Sequence, residues 1–172
     1  TGQNYDPALN EVFFRELELR APDHYLDAAG GDLGETMGAI IARSYRVIRE
    51  ERPDALLVLG DTNSALSAVS AKRLKVPIFH MEAGNRCWDW NVSEMINRKI
   101  VDHISDVNLP YTENSRRYLL SEGVDGKTIF VTGSPMREVL DRAMPMIEKS
   151  DVLERLSLER GRYILVSAHR EE

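Results

Sequence analysis

The sequence predicts an α/β fold with a Rossmann-like, mostly parallel sheet, and three features carry that expectation. Short apolar, β-rich runs recur at 55–59 (ALLVL), 76–79 (VPIF), 128–132 (TIFVT) and 163–168 (YILVSA). Segments of helical period separate them, as parallel βαβ units require. Acids, histidines and arginines gather directly after the runs, at the end of an open parallel sheet where ligands bind.

Each element has its own warrant. Residues 7–19 place a proline in a first helical turn and Leu9, Val12, Phe13 and Leu17 at helical spacing. Residues 32–51 carry Met37, Ile40, Ile41, Tyr45 and Ile48 on one stripe before Arg52-Pro53-Asp54 stops the pattern. The run 55–59, the small-residue helix NSALSAVSAKRL and the run 76–79 together make one βαβ unit. SEMINRKIVDHI reads as a helix, DVNL as a short strand, and TENSRRYLLSEG as a helix ended by glycine. In the first of these, Glu94, Asn97 and Arg98 share a polar face while Ile96, Ile100 and Ile104 share an apolar one. TIFVT and YILVSA complete the strands, with a charged helical linker over 142–162 between them.

Composition narrows the function. At 172 residues with 42% apolar and 29% charged residues, the chain can bury a core. Its formal charge of -6 argues against a phosphate-tracking nucleic-acid surface, although one basic pocket for a small phosphorylated ligand is compatible with it. No apolar run approaches the roughly 18 residues of a membrane span. The single cysteine, Cys87, forms no internal disulfide, so a reducing cytoplasm is the simpler compartment. Burial as an inert thiol is its expected state, and Trp88 and Trp90 are expected to pack their loop against the sheet, with the wall of a ligand pocket as the alternative for one of them.

Three strand exits hold the candidate chemistry. Asp61 follows the first run, His80 and Glu82 the second, and His169 and Arg170 the last. Adjacent parallel strands lie about 4.8 Å apart, so Asp61 and Glu82 could flank one ligand. Structural alternatives stand beside each of these. Asp61 suits an N-cap for the helix starting near Asn63, and Glu82 a salt bridge to Arg86. Asn91 with Glu94 matches a capping box, and Glu94 with Arg98 an i, i+4 ion pair. His80 has no second histidine at metal spacing and reads as a packed core histidine; no metal or cofactor motif is present. Arg116 and Arg117 fit a solvated helix face.

The motifs TGQNYD, GDTNS, HMEAGNRC, SEMINRKIVDH, TGSP and SAHREE coincide in order with those of the non-hydrolysing UDP-N-acetylglucosamine 2-epimerase family, which the sequence resembles along its whole length. HMEAGNRC followed by an aromatic-Asp pair is most similar to the branch that makes UDP-N-acetyl-L-fucosamine for capsule and O-antigen polysaccharides. The resemblance implies two Rossmann-like domains facing across a cleft, as in glycosyltransferase-B enzymes, with UDP held mainly by the second. Residues 1–141 would then be the N-terminal domain without its first strand, 142–162 the hinge, and 163–172 the start of the UDP-binding domain. Both chain ends look cut on this view, and the 172-residue chain alone is expected to be catalytically silent.

Carried over motif by motif, the family's catalytic groups fall on Asp61, Glu82, Glu94 and His169. Arg86, Asn97, Arg98 and Arg170 are the candidate substrate-binding residues. The family's RVPEE reads NVSEM here, placing Asn91, Ser93 and Met95 where its arginine, proline and second glutamate stand. The implied reaction is elimination of UDP with loss of the C2 proton, then re-addition through a 2-acetamidoglycal, without a cofactor. The acids would serve as the acid/base set, with at least one raised pKa from their grouping, and His169 would donate to the departing β-phosphate. The implied partner is a UDP-sugar, and the full-length protein is expected to be a homodimer. A glycosyltransferase-B-like transferase, a hydrolysing epimerase and a non-catalytic nucleotide-sugar module are the rival functions.

Overall fold

The computed structural model describes residues 1–2 and 11–167. Thr1–Thr132 and Gly133–Glu172 form two compact units. The first residues of the expected 7–19 helix, and Ala168, His169 and Arg170, lie outside the described residues.

In the first unit the order is α1 (Glu11–Glu16), α2 (Leu33–Glu51), β1 (Leu56–Leu59), a 3-10 turn (Asn63–Leu66), α3 (Ser67–Arg73), β2 (Ile78–Met81), α4 (Ser93–Ile104), β3 (Val107–Leu109) and α5 (Glu113–Ser121). The strands form one parallel sheet in the order β1-β2-β3, with Val58 opposite His80 and His80 opposite Asn108. The α/β class therefore stands as expected.

Local chemistry sets the helix boundaries. Asp32 caps α2 by accepting from the Glu35 amide at 2.8 Å, and Glu35 returns a bond to the Gly31 amide at 2.8 Å, so two otherwise orphaned donors are satisfied. The buried stripe of α2 is Ile40, Ser44 and Ile48, whereas Tyr45, expected on that face, is exposed. The reason is close packing on the small residues of α3. Ser44 Oγ donates to Ser70 Oγ at 3.1 Å, leaving no room for a phenol. Below this contact Ile48, Val58, Ala65, Ala68, Ala71, Val76, Ile78 and Val101 make the core. The other face of β1 shows Leu57 and Leu59, which no helix among the described residues covers.

Two expected strands do not form. At 128–132 only Ile129 bridges Asn108, although the Phe130 amide reaches the Asn108 carbonyl and the Thr132 amide the Pro110 carbonyl. Pro110 has no N–H to return the second bond, so the ladder stops after one bridge. At 163–167 the backbone is irregular and Ile164, Leu165 and Val166 are almost fully exposed. A strand needs a neighbour for its N–H and C=O groups, and none among the described residues pairs with it. The second unit otherwise consists of α6 (Met136–Glu148) and α7 (Val152–Arg155), neither with a buried residue.

Helix α4 buries much of its polar face. Ile96 and Ile100 are exposed, while Asn97, Arg98 and Asp102 are buried with Met95 and Val101. Polar contacts to the strand ends draw this side inward, and they are the substance of the site.

Candidate active site

The three strands deliver their next residues to one edge of the sheet. Gly60, at φ 72°, turns the chain out of β1 and leads to half-buried Asp61. Strand β2 runs two residues further than expected and takes in His80 and Met81, so Glu82 is the first residue beyond it. Glu82 adopts the left-handed conformation, φ 62°, uncommon for a residue with a side chain and a form of strain that collects at functional sites. The turn is held open by Gly84. A Cβ there would lie 2.5 Å from the Ser115 carbonyl oxygen, so no other residue fits.

Arg98 joins the two acids. Its Nη2 donates to Asp61 Oδ2 and, at 3.4 Å, to Glu82 Oε1, while Nη1 donates to the Glu82 carbonyl oxygen. Asn85 adds an amide N–H to Glu82 Oε1 at 3.2 Å. Parallel pairing thus brings Asp61 and Glu82 to a single guanidinium whose side chain is only 8% exposed. The acids were expected to flank one ligand, and here one guanidinium joins them. Asn97, one residue earlier, donates to Asn63 Oδ1 at 2.9 Å and ties α4 to the turn after Asp61.

The local pairings expected as structural alternatives do not form here, whereas His80 is buried in the core as expected. The 3-10 turn after β1 is capped by Thr62 without a side-chain bond, so Asp61 is no N-cap. Arg86 pairs with Asp102 and Glu122 and not with Glu82. Val92 occupies the N-cap of α4 without a side-chain bond, and Arg98 turns to Asp61 and Glu82, so neither the Asn91 capping box nor the Glu94–Arg98 pair exists. Glu94 is exposed in the first turn of α4, accepts from Ser93 Oγ at 2.9 Å, and lies one helical turn before Arg98.

Behind the acids lies a buried ionic cluster that sequence reasoning missed. Asp102, on α4, accepts from Arg86 Nη1 at 2.7 Å and from the Gly84 amide at 3.2 Å, and meets His80 Nδ1 at 2.8 Å. Arg86 also gives two bonds to Glu122, at 2.9 and 2.6 Å, and one to the Asn85 carbonyl at 2.8 Å. Burial alone would lower the Arg86 pKa, but the bond to Glu122 and the Asp102 charge outweigh it and raise the value. The signal for Asp102 was present in its spacing, four residues after Arg98 on the same face. Tyr111, two residues beyond β3, was also passed over at a strand exit. Burial and the Glu82 charge push its phenol up, so it remains a hydrogen-bond donor near neutral pH.

Glu122 gives a pH prediction. The Arg86 bond, against opposing burial, holds its carboxyl at about 2, below the ordinary 4.5. A depressed carboxyl contributes stability above its unfolded value and loses it as pH falls toward the folded one. Wild type should therefore lose melting temperature relative to Glu122→Gln between about pH 4.5 and pH 2, converging at the acid end. The full difference is about 3 kcal/mol. Parallel pH profiles of the two proteins by differential scanning calorimetry would reject the assignment.

Trp88 and Trp90 are exposed and do not pack on the sheet. Lys99 Nζ lies 5.8 and 4.8 Å from their ring centroids, and Trp88 meets Tyr118 edge-on at 5.3 Å, so cation–π and aromatic contacts hold them at the surface. Cys87 is likewise exposed, not buried, with Sγ 3.7 Å from the Asp89 carbonyl oxygen. Arg116 and Arg117 lie on the surface of α5 and pair within it. No helix among the described residues is long and apolar enough to cross a membrane.

The sequence profile of the UDP-N-acetylglucosamine 2-epimerase family matches residues 1–172. A UDP-N-acetylglucosamine 2-epimerase homolog of Methanococcus maripaludis is 37% identical over 175 residues, covering 100% of this chain and 49% of its own length. The structure of UDP-N-acetylglucosamine 2-epimerase from Rickettsia bellii superposes with a TM-score of 0.90 at 55% identity, covering 100% of this chain and 46% of the other. The Methanocaldococcus jannaschii enzyme in complex with UDP-GlcNAc and UDP gives 0.85 at 34% identity, covering 91% and 43%. The chain spans about half the length of the curated relatives it matches. Sequence and fold agree along the chain, which belongs to the UDP-N-acetylglucosamine 2-epimerase family.

Proposed function

We propose that the full-length protein 2-epimerises a UDP-N-acetylhexosamine without hydrolysing it, feeding cell-surface polysaccharide synthesis. The observation that carries this is the gathering of Asp61 and Glu82 on Arg98 at the carboxyl ends of adjacent parallel strands. The complex of the Methanocaldococcus jannaschii relative with UDP-GlcNAc and UDP supports a UDP-sugar as substrate.

The C2 proton of an N-acetyl sugar is not acidic, so a base needs a leaving group to work with. One carboxylate removes the proton, the C2–H pair becomes the C1=C2 bond, and the C1–O bond breaks with its electrons leaving on UDP. An acid then protonates C2 from the opposite face while the UDP oxygen returns to C1. Asp61, Glu82 and Glu94 make up this acid/base set, each contributing about 100-fold to 10,000-fold. Asn97 and Arg98 orient the acids and the sugar, and Arg86 braces the loop. His169 and Arg170 receive the diphosphate from the part of the chain that begins the UDP-binding domain.

Product formed in heavy water should carry deuterium at C2, read by mass spectrometry. Epimerisation without solvent label would rule out elimination through these acids. Incubation with a UDP-sugar alone also separates the rivals. An epimerase reaches a two-epimer equilibrium, a transferase leaves the donor unchanged, a hydrolysing enzyme releases UDP and free sugar, and a binding module does none of these.

A further inference from the structure

We infer that His80 and Asp102 act as a positioning pair that locks the backbone beneath both acids; this rests on the assignment of Asp61 and Glu82 above. His80 sits in the middle of the sheet, fully buried, between Val58 of β1 and Asn108 of β3. Its Nε2 lies 2.8 Å from the Gly60 carbonyl oxygen and its Nδ1 2.8 Å from Asp102 Oδ1.

Both of those partners accept. The Gly60 carbonyl has no proton to give, and Asp102 already takes bonds from Arg86 and the Gly84 amide, as a carboxylate does. His80 therefore donates from both ring nitrogens. Charged groups of both signs surround the ring. Asp102 faces it from α4, Arg86 stands behind Asp102, and Glu122 behind Arg86 with Lys99 and His103 at its rim.

The consequence is mechanical. The Gly60 carbonyl belongs to the peptide group whose nitrogen is that of Asp61, so the Nε2 bond fixes the plane from which the Asp61 side chain springs. On the other ring edge, Asp102 grips the Gly84 amide two residues after left-handed Glu82. One imidazole and one carboxylate thus link the backbone of both acids, from a place too buried to touch a sugar. These are positioning residues, and a misplacement of about 1 Å at a reacting group costs about 100-fold in rate.

The test uses the full-length protein and two substitutions that each keep half of the geometry. The His80→Gln amide can still reach the Gly60 carbonyl, whereas the His80→Asn amide takes the Nδ1 position toward Asp102. The expected result is a kcat loss of about 100-fold in His80→Asn with KM for UDP-N-acetylglucosamine within about threefold of wild type, and partial rescue to within about tenfold in His80→Gln. A folded His80→Asn protein with near-normal kcat, or a loss confined to KM, overturns the inference. Should neither variant fold, NMR of wild type labelled with nitrogen-15 and carbon-13 decides: a coupling across the hydrogen bond between His80 Nε2 and the Gly60 carbonyl carbon supports the pair, and its absence overturns it. Asp61→Asn run alongside keeps the two ideas apart. Full activity in Asp61→Asn defeats the acid assignment itself, whereas an inactive Asp61→Asn beside an active His80→Asn defeats only the positioning role.

Discussion

In the full-length protein, Asp61→Asn and Glu82→Gln should each lower turnover by about 100-fold or more and leave the fold intact. Both acids are partly exposed at strand ends, where a neutral isostere disturbs little packing. Each also shares Arg98, so removing one charge leaves the guanidinium still paired with the other. The loss should therefore appear in kcat and kcat/KM together, as expected for groups that work only in the transition state. Glu94→Gln should behave alike if the first turn of α4 closes on the sugar. Since Glu94 has no capping partner to lose, an unchanged melting temperature with lowered turnover is the expected pattern. Near-normal turnover in Asp61→Asn and Glu82→Gln would remove the acid/base assignment.

Asp102→Ala should be the most damaging single change to stability. The substitution takes a fully buried carboxylate from His80, Arg86 and the Gly84 amide at once. The His80 ring, the Arg86 guanidinium and one amide would face a cavity, and breaking a buried ion pair costs about 3 to 5 kcal/mol. Against a total stability of about 5 to 15 kcal/mol this is a large share. The melting temperature should fall by about 10 °C or more. Asp102→Asn keeps the volume and an acceptor for the Gly84 amide, and should cost less. A fall of under about 2 °C in Asp102→Ala would mean that solvent or a local shift replaces the lost carboxylate.

Much of the candidate site was legible because parallel sheets deliver ligand groups from a defined end. Once ALLVL and VPIF are strands in one βαβ unit, Asp61 and Glu82 must emerge side by side. Burial was harder. Helical period put Ile96, Ile100 and Ile104 on one apolar face of α4, and such a face ordinarily turns inward, as only Ile104 does here. The paired charges of Arg98 and Asp102 reverse that rule, since ion pairs drawn from the strand exits outweigh two exposed isoleucines.

By itself, the sequence determined the α/β class, the strand-helix alternation and the family. Those depend on local periodicity and on motifs contiguous along the chain. Only the tertiary structure decided which charge meets which. Arg98 reaches back 37 residues to Asp61, Arg86 reaches forward 36 to Glu122, and His80 finds Asp102 after 22. Each was assigned a nearer partner, or none, from spacing. Pairings at such separations are set by helix packing and sheet register, which bring distant residues within bonding range, and local spacing contains no term for that.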